Sequence, residues 1–325
     1  MNVAIPTKPS PLIHRKISNQ NPLNLKTTLP IQVVDSSLQD LQLNFKNQIF
    51  HSFVTEFARD ENDSGLSVKL AINGLERYRI GSRMHNVNSG RFLVVNQHQN
   101  FECRVKSRDI VEGLCFYLDP KIVREIQACH HLGNSGMLDQ EDKCLSLSPV
   151  FTEKVFGLSE SPLGEFLQQM LPVLRDPQMR AKINYDLFFT QMAEALVKSE
   201  KRVNRLMNNL KNEKPSTREE LYRRVSLARI YIDEHYLEDL NLNKLAEIAM
   251  TSKYHFLRSF KEIYHASPYQ FVLKKRLKYG AELLKQGNYK LSEIAAETGF
   301  TDRRAFNKSF RSHFGVLPSE YGRMC

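Results

Sequence analysis

The chain has 325 residues, 41% of them hydrophobic and 25% charged, the proportions of an ordinary globular protein. That composition excludes a mostly disordered, collagen-like or disulfide-scaffold chain, and no apolar run approaches the roughly 18 residues of a membrane-spanning helix. The formal net charge of +10 is unevenly placed: residues 1–197 balance to zero, 198–215 carry +4 and 216–325 carry +6. A basic excess confined to the last two-fifths points to a polyanion partner such as nucleic acid.

Residues 1–40 open with Pro6, Pro9, Pro11, Pro22 and Pro30 and read as a flexible arm, without the apolar core of an export signal. Five widely spaced cysteines (Cys103, Cys115, Cys129, Cys144, Cys325) suit a reduced, cytoplasmic protein. From Leu66 to Asp119 the pattern is one of short strands. Ser67–Ile72 alternates, Asn73-Gly74 supplies a tight hairpin turn, and Leu75–Ile80 follows. Ser89-Gly90 breaks the chain before Phe92–Val95. Phe101, Cys103 and Val105 share one strand face by period two, Ile110–Leu118 completes the set, and Pro120 starts a short helix. An antiparallel sheet or small barrel is expected here.

From about Pro162 the period is helical. Tyr185, Phe189, Met192, Leu196, Ser199, Val203, Leu206 and Leu210 recur at 4-3-4-3 spacing, a heptad seam. Two readings stay open: an amphipathic helix lying on its own sheet, or a homodimerisation helix over 185–210. Polar residues 208–217, ending beyond Pro215, form the expected linker.

After Leu240 a unit is duplicated. Leu245-Ala246, Phe256, Phe260 and Pro268 are echoed by Ile294-Ala295, Phe306, Phe310 and Pro318, at an offset of 49 before a turn and 50 after it. Each copy reads as helix, tight turn, helix, over about 241–264 and 290–314. Ser252 caps the second helix of the first copy; Gly299, with Thr301 or Asp302 as cap, serves the second. Such pairs place their second helix in the DNA major groove. In Lys253–Ile263 a buried stripe of Phe256, Phe260 and Ile263 opposes Tyr254, Arg258 and Lys261. In Arg303–Phe314 the stripe of Phe306, Phe310 and Phe314 opposes Arg303, Arg304, Asn307, Lys308 and Arg311. Arg matches guanine and Asn matches adenine edges. A lone basic face is usually only solvated; two in register, each after a turn, argue for recognition. Between the copies Pro268–Gln286 reads as one helix about 28 Å long, near the ~34 Å of one duplex turn, which predicts a site of about two turns.

At these residues the chain resembles the AraC/XylS family of bacterial transcription regulators, over about Leu221 to Arg323. The most specific part is Leu291-Ser-Glu-Ile-Ala-Ala-Glu-Thr-Gly-Phe300 with Phe306, Phe310, Phe314-Gly315 and Pro318-Ser-Glu-Tyr321. The resemblance implies base-reading positions Tyr254, Leu257 and Arg258 in the first recognition helix, and Arg303, Arg304, Asn307 and Lys308 in the second. Lys253, Lys261, Arg311, Ser252 and Thr301 are then assigned to the phosphate backbone. His265 and Met250 depart from the family, standing where it often has Gly. The family usually precedes this pair with a sensor or dimerisation domain, here 41–210, whose β-rich part loosely resembles its cupin-like version; 211–325 is the DNA-binding domain. The fold expected is α+β in two domains: an antiparallel β-rich half (cupin-like barrel or sheet) with helices, then an all-α half.

Other chemistries are weaker. Cys129-His130-His131 with Cys144 is the one tempting metal cluster, but adjacent ligands on a helix diverge and no CxxC or HxxxH supports them. A cupin enzyme needs a spaced His-x-His with a Glu; His98 and Glu102 lack the second His. DNA-repair relatives of the family carry Pro-Cys-His-Arg, which Ala128-Cys129-His130-His131 does not match. No catalytic residues, metal or cofactor are therefore assigned. The expected partners are double-stranded DNA, a second copy of the chain, a small-molecule effector of unknown identity and RNA polymerase, with no membrane. The rival reading is a ligand-binding or catalytic cupin-like barrel whose basic half binds nucleic acid non-specifically.

Overall fold

A computed structural model describes residues 31–35, 47–132, 150–211 and 213–324. Of the arm expected over 1–40, residues 1–30 and 36–40 lie outside the described residues, as do Cys144 and the side chains of His130 and His131. Ile31–Asp35, read as part of that arm, are instead strand β1, paired parallel with β2 (Gln48–Glu61).

The remaining strands are β3 (Ser67–Asn73), β4 (Leu75–Ile80), β5 (Arg83–Asn88), β6 (Arg91–Val95), β7 (Phe101–Tyr117) and β8 (Val155–Gly157). They form one eight-stranded sheet in the order β1-β2-β7-β3-β6-β8, with β4 pairing β5 and β7. Among the described residues the pairing path does not close, so of the two forms expected the open sheet is the one found. The 17-residue β7 is its spine. It joins the two separate runs read at 101–105 and 110–118, and pairs with β2 from end to end across a register shift between Val54 and Glu56.

The Asn73-Gly74 hairpin is not formed. β3 pairs with residues 112–117 of β7 and β4 with residues 101–104, so the two strands lie along β7 in succession. Gly74 (φ +86°) is the corner between them, and a side chain there would collide with Val111, 2.7 Å from the position of its Cβ. Gly74 bends the strand along its neighbour instead of reversing it. The two-residue hairpin lies one strand later, at Gly81-Ser82 between β4 and β5.

The helices are α1 (Pro120–Leu132), α2 (Pro162–Arg175), α3 (Pro177–Arg180), α4 (Tyr185–Asn208), α5 (Pro215–His235), α6 (Leu242–Ile248), α7 (Lys253–Tyr264), α8 (Pro268–Gln286), α9 (Leu291–Glu297), α10 (Arg303–Phe314) and α11 (Pro318–Met324). The heptad stripe of α4 packs inside its own chain. Phe189, Met192, Leu196, Ser199, Val203 and Leu210 are all buried, and the Phe188 ring lies 6.0 Å from Phe116 of β7. Core packing and a dimer seam share one period, and here the core takes it. The stripe is therefore not an available dimer face.

The chain between α4 and α5 is short, and Leu210 within it is fully buried. One apolar cluster runs from Phe116 and Phe156 of the sheet through α4 and α5 to Phe256 and Phe260 of α7. Polar ties cross the same boundary. Arg91 of β6 donates to both carboxylate oxygens of Glu234. Glu160 accepts from Lys154 at 3.2 Å and from Arg229 of α5 at 2.6 Å. Asn209 donates to the Ile263 carbonyl at 3.2 Å and to His265 Nε2 at 3.1 Å. No helix among the described residues is long and apolar enough to cross a membrane.

Candidate nucleic-acid interface

In the first repeat Asn241 caps α6 by accepting from the Lys244 N–H. Leu245 and Ala246 face inward, and the chain reverses through Met250 at φ +49°. The Thr251 N–H returns to the Ala246 carbonyl at 3.0 Å, and Ser252 caps α7 by accepting from His255. The second repeat does the same through Gly299 at φ +72°, with Phe300 N–H on the Ala295 carbonyl at 2.9 Å. There the cap is Asp302, accepting from Ala305 at 2.8 Å. Both recognition helices end on a left-handed residue, His265 (φ +54°) and Gly315 (φ +80°). The two departures from glycine, Met250 and His265, thus keep the geometry a glycine would adopt. The extra residue of the second copy falls between Gly299 and Asp302.

Phe256, Phe260 and Ile263 of α7 and Phe306 and Phe310 of α10 are fully buried, which turns the opposite faces outward. On α7, Tyr254 is 78% exposed and Leu257 37%; Lys253, Arg258 and Lys261 are also exposed. Arg258 donates to Glu262 at 2.9 Å, a counter-charge the sequence reading passed over although it sits four residues on. The Ser252 hydroxyl is occupied by its cap. On α10, Arg303, Arg304, Lys308 and Arg311 are exposed, and among the described residues none of the four forms an ion pair. Thr301 is exposed beside the helix start. Asn307 differs from the sequence reading: it is half-buried, with its side-chain oxygen enclosed and unpartnered.

The basic surface continues onto α8. Lys274 and Lys278 are exposed; partial burial, helped by these two charges, holds the His313 imidazole below its usual proton affinity. Their spacing of four on a helix was the available signal. Arg276 of the same helix was also missed, because nothing local marks a residue whose partners lie 23 to 40 positions away.

His98 and Glu102 are each engaged elsewhere. His98 sits in a turn at φ +62°, paired with Asp63, while Glu102 pairs with Arg79. Among the described residues no group of three His, Cys, Asp or Glu is placed to hold a metal ion.

Residues 245–324 match the helix-turn-helix domain family. The probable transcriptional regulator LumQ of Photobacterium leiognathi is 30% identical over 91 residues, 28% of this chain and 37% of that protein. The uncharacterised HTH-type regulator YbfI of Bacillus subtilis is 27% identical over 217 residues, 67% of this chain and 70% of that one. Among solved structures, the DNA-binding domain of AdpA in complex with a target DNA is similar at 26% identity and a TM-score of 0.29, over 31% of this chain and 90% of that domain. The match spans only about a third of the length of LumQ and of the virulence activator VirF of Yersinia enterocolitica. The family match and the duplicated turn geometry fall on the same segment, so residues 245–324 are an AraC-type helix-turn-helix domain.

Proposed function

We propose that the chain is a sequence-specific transcription regulator that reads double-stranded DNA with α7 and α10 and is controlled through its β-rich half. The observation that carries this reading is the pair of structurally repeated helix-turn-helix units, the second presenting four exposed cations with no counter-ion among the described residues. Tyr254, Leu257, Arg258, Arg303, Arg304 and Lys308 read bases; Asn307, whose side-chain oxygen is enclosed, does not. Lys253, Lys261, Arg311, Ser252 and Thr301 hold phosphates, with the Ser252 hydroxyl shared with its cap.

In this reading residues 41–210 are the regulatory domain and 211–325 the DNA-binding domain. An effector would enter the cavity on the sheet that is lined by Lys69, Glu76, Tyr78 and Phe101. The protein acts in the cytoplasm, as a homodimer through a surface other than the α4 stripe, and contacts RNA polymerase from its promoter site. Phosphate contacts supply most of the affinity, which falls steeply with salt.

Arg304→Ala tests the base-reading assignment. Its affinity for a selected site should fall about 5- to 150-fold, with specificity relaxed at one position and little loss on unrelated duplex. Equal weakening on all sequences would make Arg304 a phosphate contact.

A further inference from the structure

The two helix-turn-helix units have separate cores. The first, with Leu245, Phe256, Phe260 and Ile263, belongs to the large cluster shared with the sheet half. The second, with Ile294, Ala295, Phe306 and Phe310, packs on Leu277, Ala281, Leu283 and Leu284 of α8. A single helix between two cores leaves freedom to bend and twist. Two readers of one duplex cannot tolerate that freedom, since a step of one base pair is about 3.4 Å and 35°.

Arg276, midway along α8, closes the gap. Its Nε donates to the Tyr236 carbonyl at 2.6 Å and Nη2 to the Glu238 carbonyl at 2.8 Å. Its Nη1 donates to the Gly299 carbonyl at 2.8 Å. Tyr236 caps the C-terminal end of α5, which packs against the first unit, and Gly299 is the turn residue from which α10 departs. One planar guanidinium thus satisfies three backbone carbonyls on two segments, a geometry that a lysine ammonium at the end of a flexible stem does not reproduce. The fit is tight on the turn side: a Cβ at Gly299 would lie 2.9 Å from Arg276 Cζ. A side chain at Gly299 would displace the guanidinium from this position and would also be strained at φ +72°.

Resting on the DNA-reading function above, we propose that Arg276 is a positioning residue that sets the offset between α7 and α10, and so the spacing between the two base-pair segments the protein accepts. It touches no base in this role; its action is on register.

The test uses the full chain. A site is first selected from random duplex with the unsubstituted protein, then remade with one base pair inserted or removed between its two segments. The unsubstituted protein should lose about tenfold or more on either change, comparable with a mismatched base pair. Arg276→Lys should bind the original site about tenfold more weakly yet lose only about two- to threefold on altered spacing. Gly299→Ala, which disturbs the same contact from the turn, should relax spacing in the same way. Chemical unfolding establishes that both variants are folded at the assay temperature. If both variants keep the original spacing preference while binding all sites more weakly, Arg276 is a structural residue and the inference is overturned. If the unsubstituted protein selects no motif, the DNA-reading function falls and the inference with it.

Discussion

At the scale of single residues, burial sets ionisation in ways composition does not reveal. Glu76 is enclosed in the sheet, where burial pushes its carboxyl up to about 7 although the Tyr78 hydroxyl donates to it at 2.7 Å. Nearby Lys69 is also enclosed; burial opposes its charge, but Cys115, Tyr117 and Glu61 more than restore it and raise its proton affinity. A carboxyl whose folded pKa is raised binds more protons folded than unfolded. Its contribution to stability is therefore full below about 4.5, its ordinary value, and is lost as pH rises through about 7. Glu112, Glu153 and Glu160 are shifted the other way: burial raises each, but His51 and Arg175, His85 and Arg83, and Lys154 and Arg229 respectively outweigh it. They lose stability as pH falls below the ordinary carboxylate range. Stability measured by urea unfolding should thus decline from pH 5 to 7.5, and Glu76→Gln should flatten that limb. An unchanged decline in the variant would assign it to another group.

At the scale of elements, the repeat explains its own irregularities. Met250 and Gly299 occupy the same left-handed turn position, but Met pays a steric penalty of about 1–2 kcal/mol for it that Gly does not. Met250 is also 57% exposed, so little packing is lost on its removal. Met250→Gly should stabilise the protein by about 0.5–1 kcal/mol in chemical unfolding and leave DNA affinity unchanged; destabilisation would show that the Met side chain has a packing role. The same elements show why legibility was uneven. α6 to α10 were readable because Phe256, Phe260, Phe306 and Phe310 mark one face and Pro, Gly, Ser and Asp mark the ends. Pro268–Gln286 coincides with α8 to the residue. β2 was not readable: its buried residues are bunched at Ile49–His51 with Val54 and Glu61, and none of 55–60, which include Glu56, Arg59 and Asp60 beyond a register shift, is buried. β1 lies in a Pro-rich context, and the α4 stripe has a period that cannot say which surface covers it. Arg276 was invisible for a related reason, since its three partners are brought together only by folding.

At the scale of the whole molecule, the sheet half and the first helix-turn-helix unit share one apolar core. Lys154, Glu160, Arg229, Asp233 and Lys275 form a chain of ion pairs from the segment beside β8, through α5, to α8. Glu160 joins Lys154 to Arg229 and is enclosed with both cations. Glu160→Gln removes the charge but not the volume, leaving Lys154 buried with no carboxylate and Arg229 with Asp233 alone. The variant should lose about 3–5 kcal/mol of stability. A loss below about 1 kcal/mol would mean that water already screens the cluster. Beside it lies a cavity of about 200 Å³ lined by Lys154, Glu160, Arg229, Tyr222, Tyr264 and His265, so changes in the sheet half have a short path to α7. The central claim is that this assembly reads sequence with two helices at once. Its most direct test is selection of the full chain from random double-stranded DNA at near-physiological salt. The account predicts enrichment of a site with two distinct segments within about two helical turns, tighter than non-specific duplex by 10³-fold or more. Retention of DNA with no enriched motif, and release by modest salt, would contradict it and leave only a basic surface that binds polyanions.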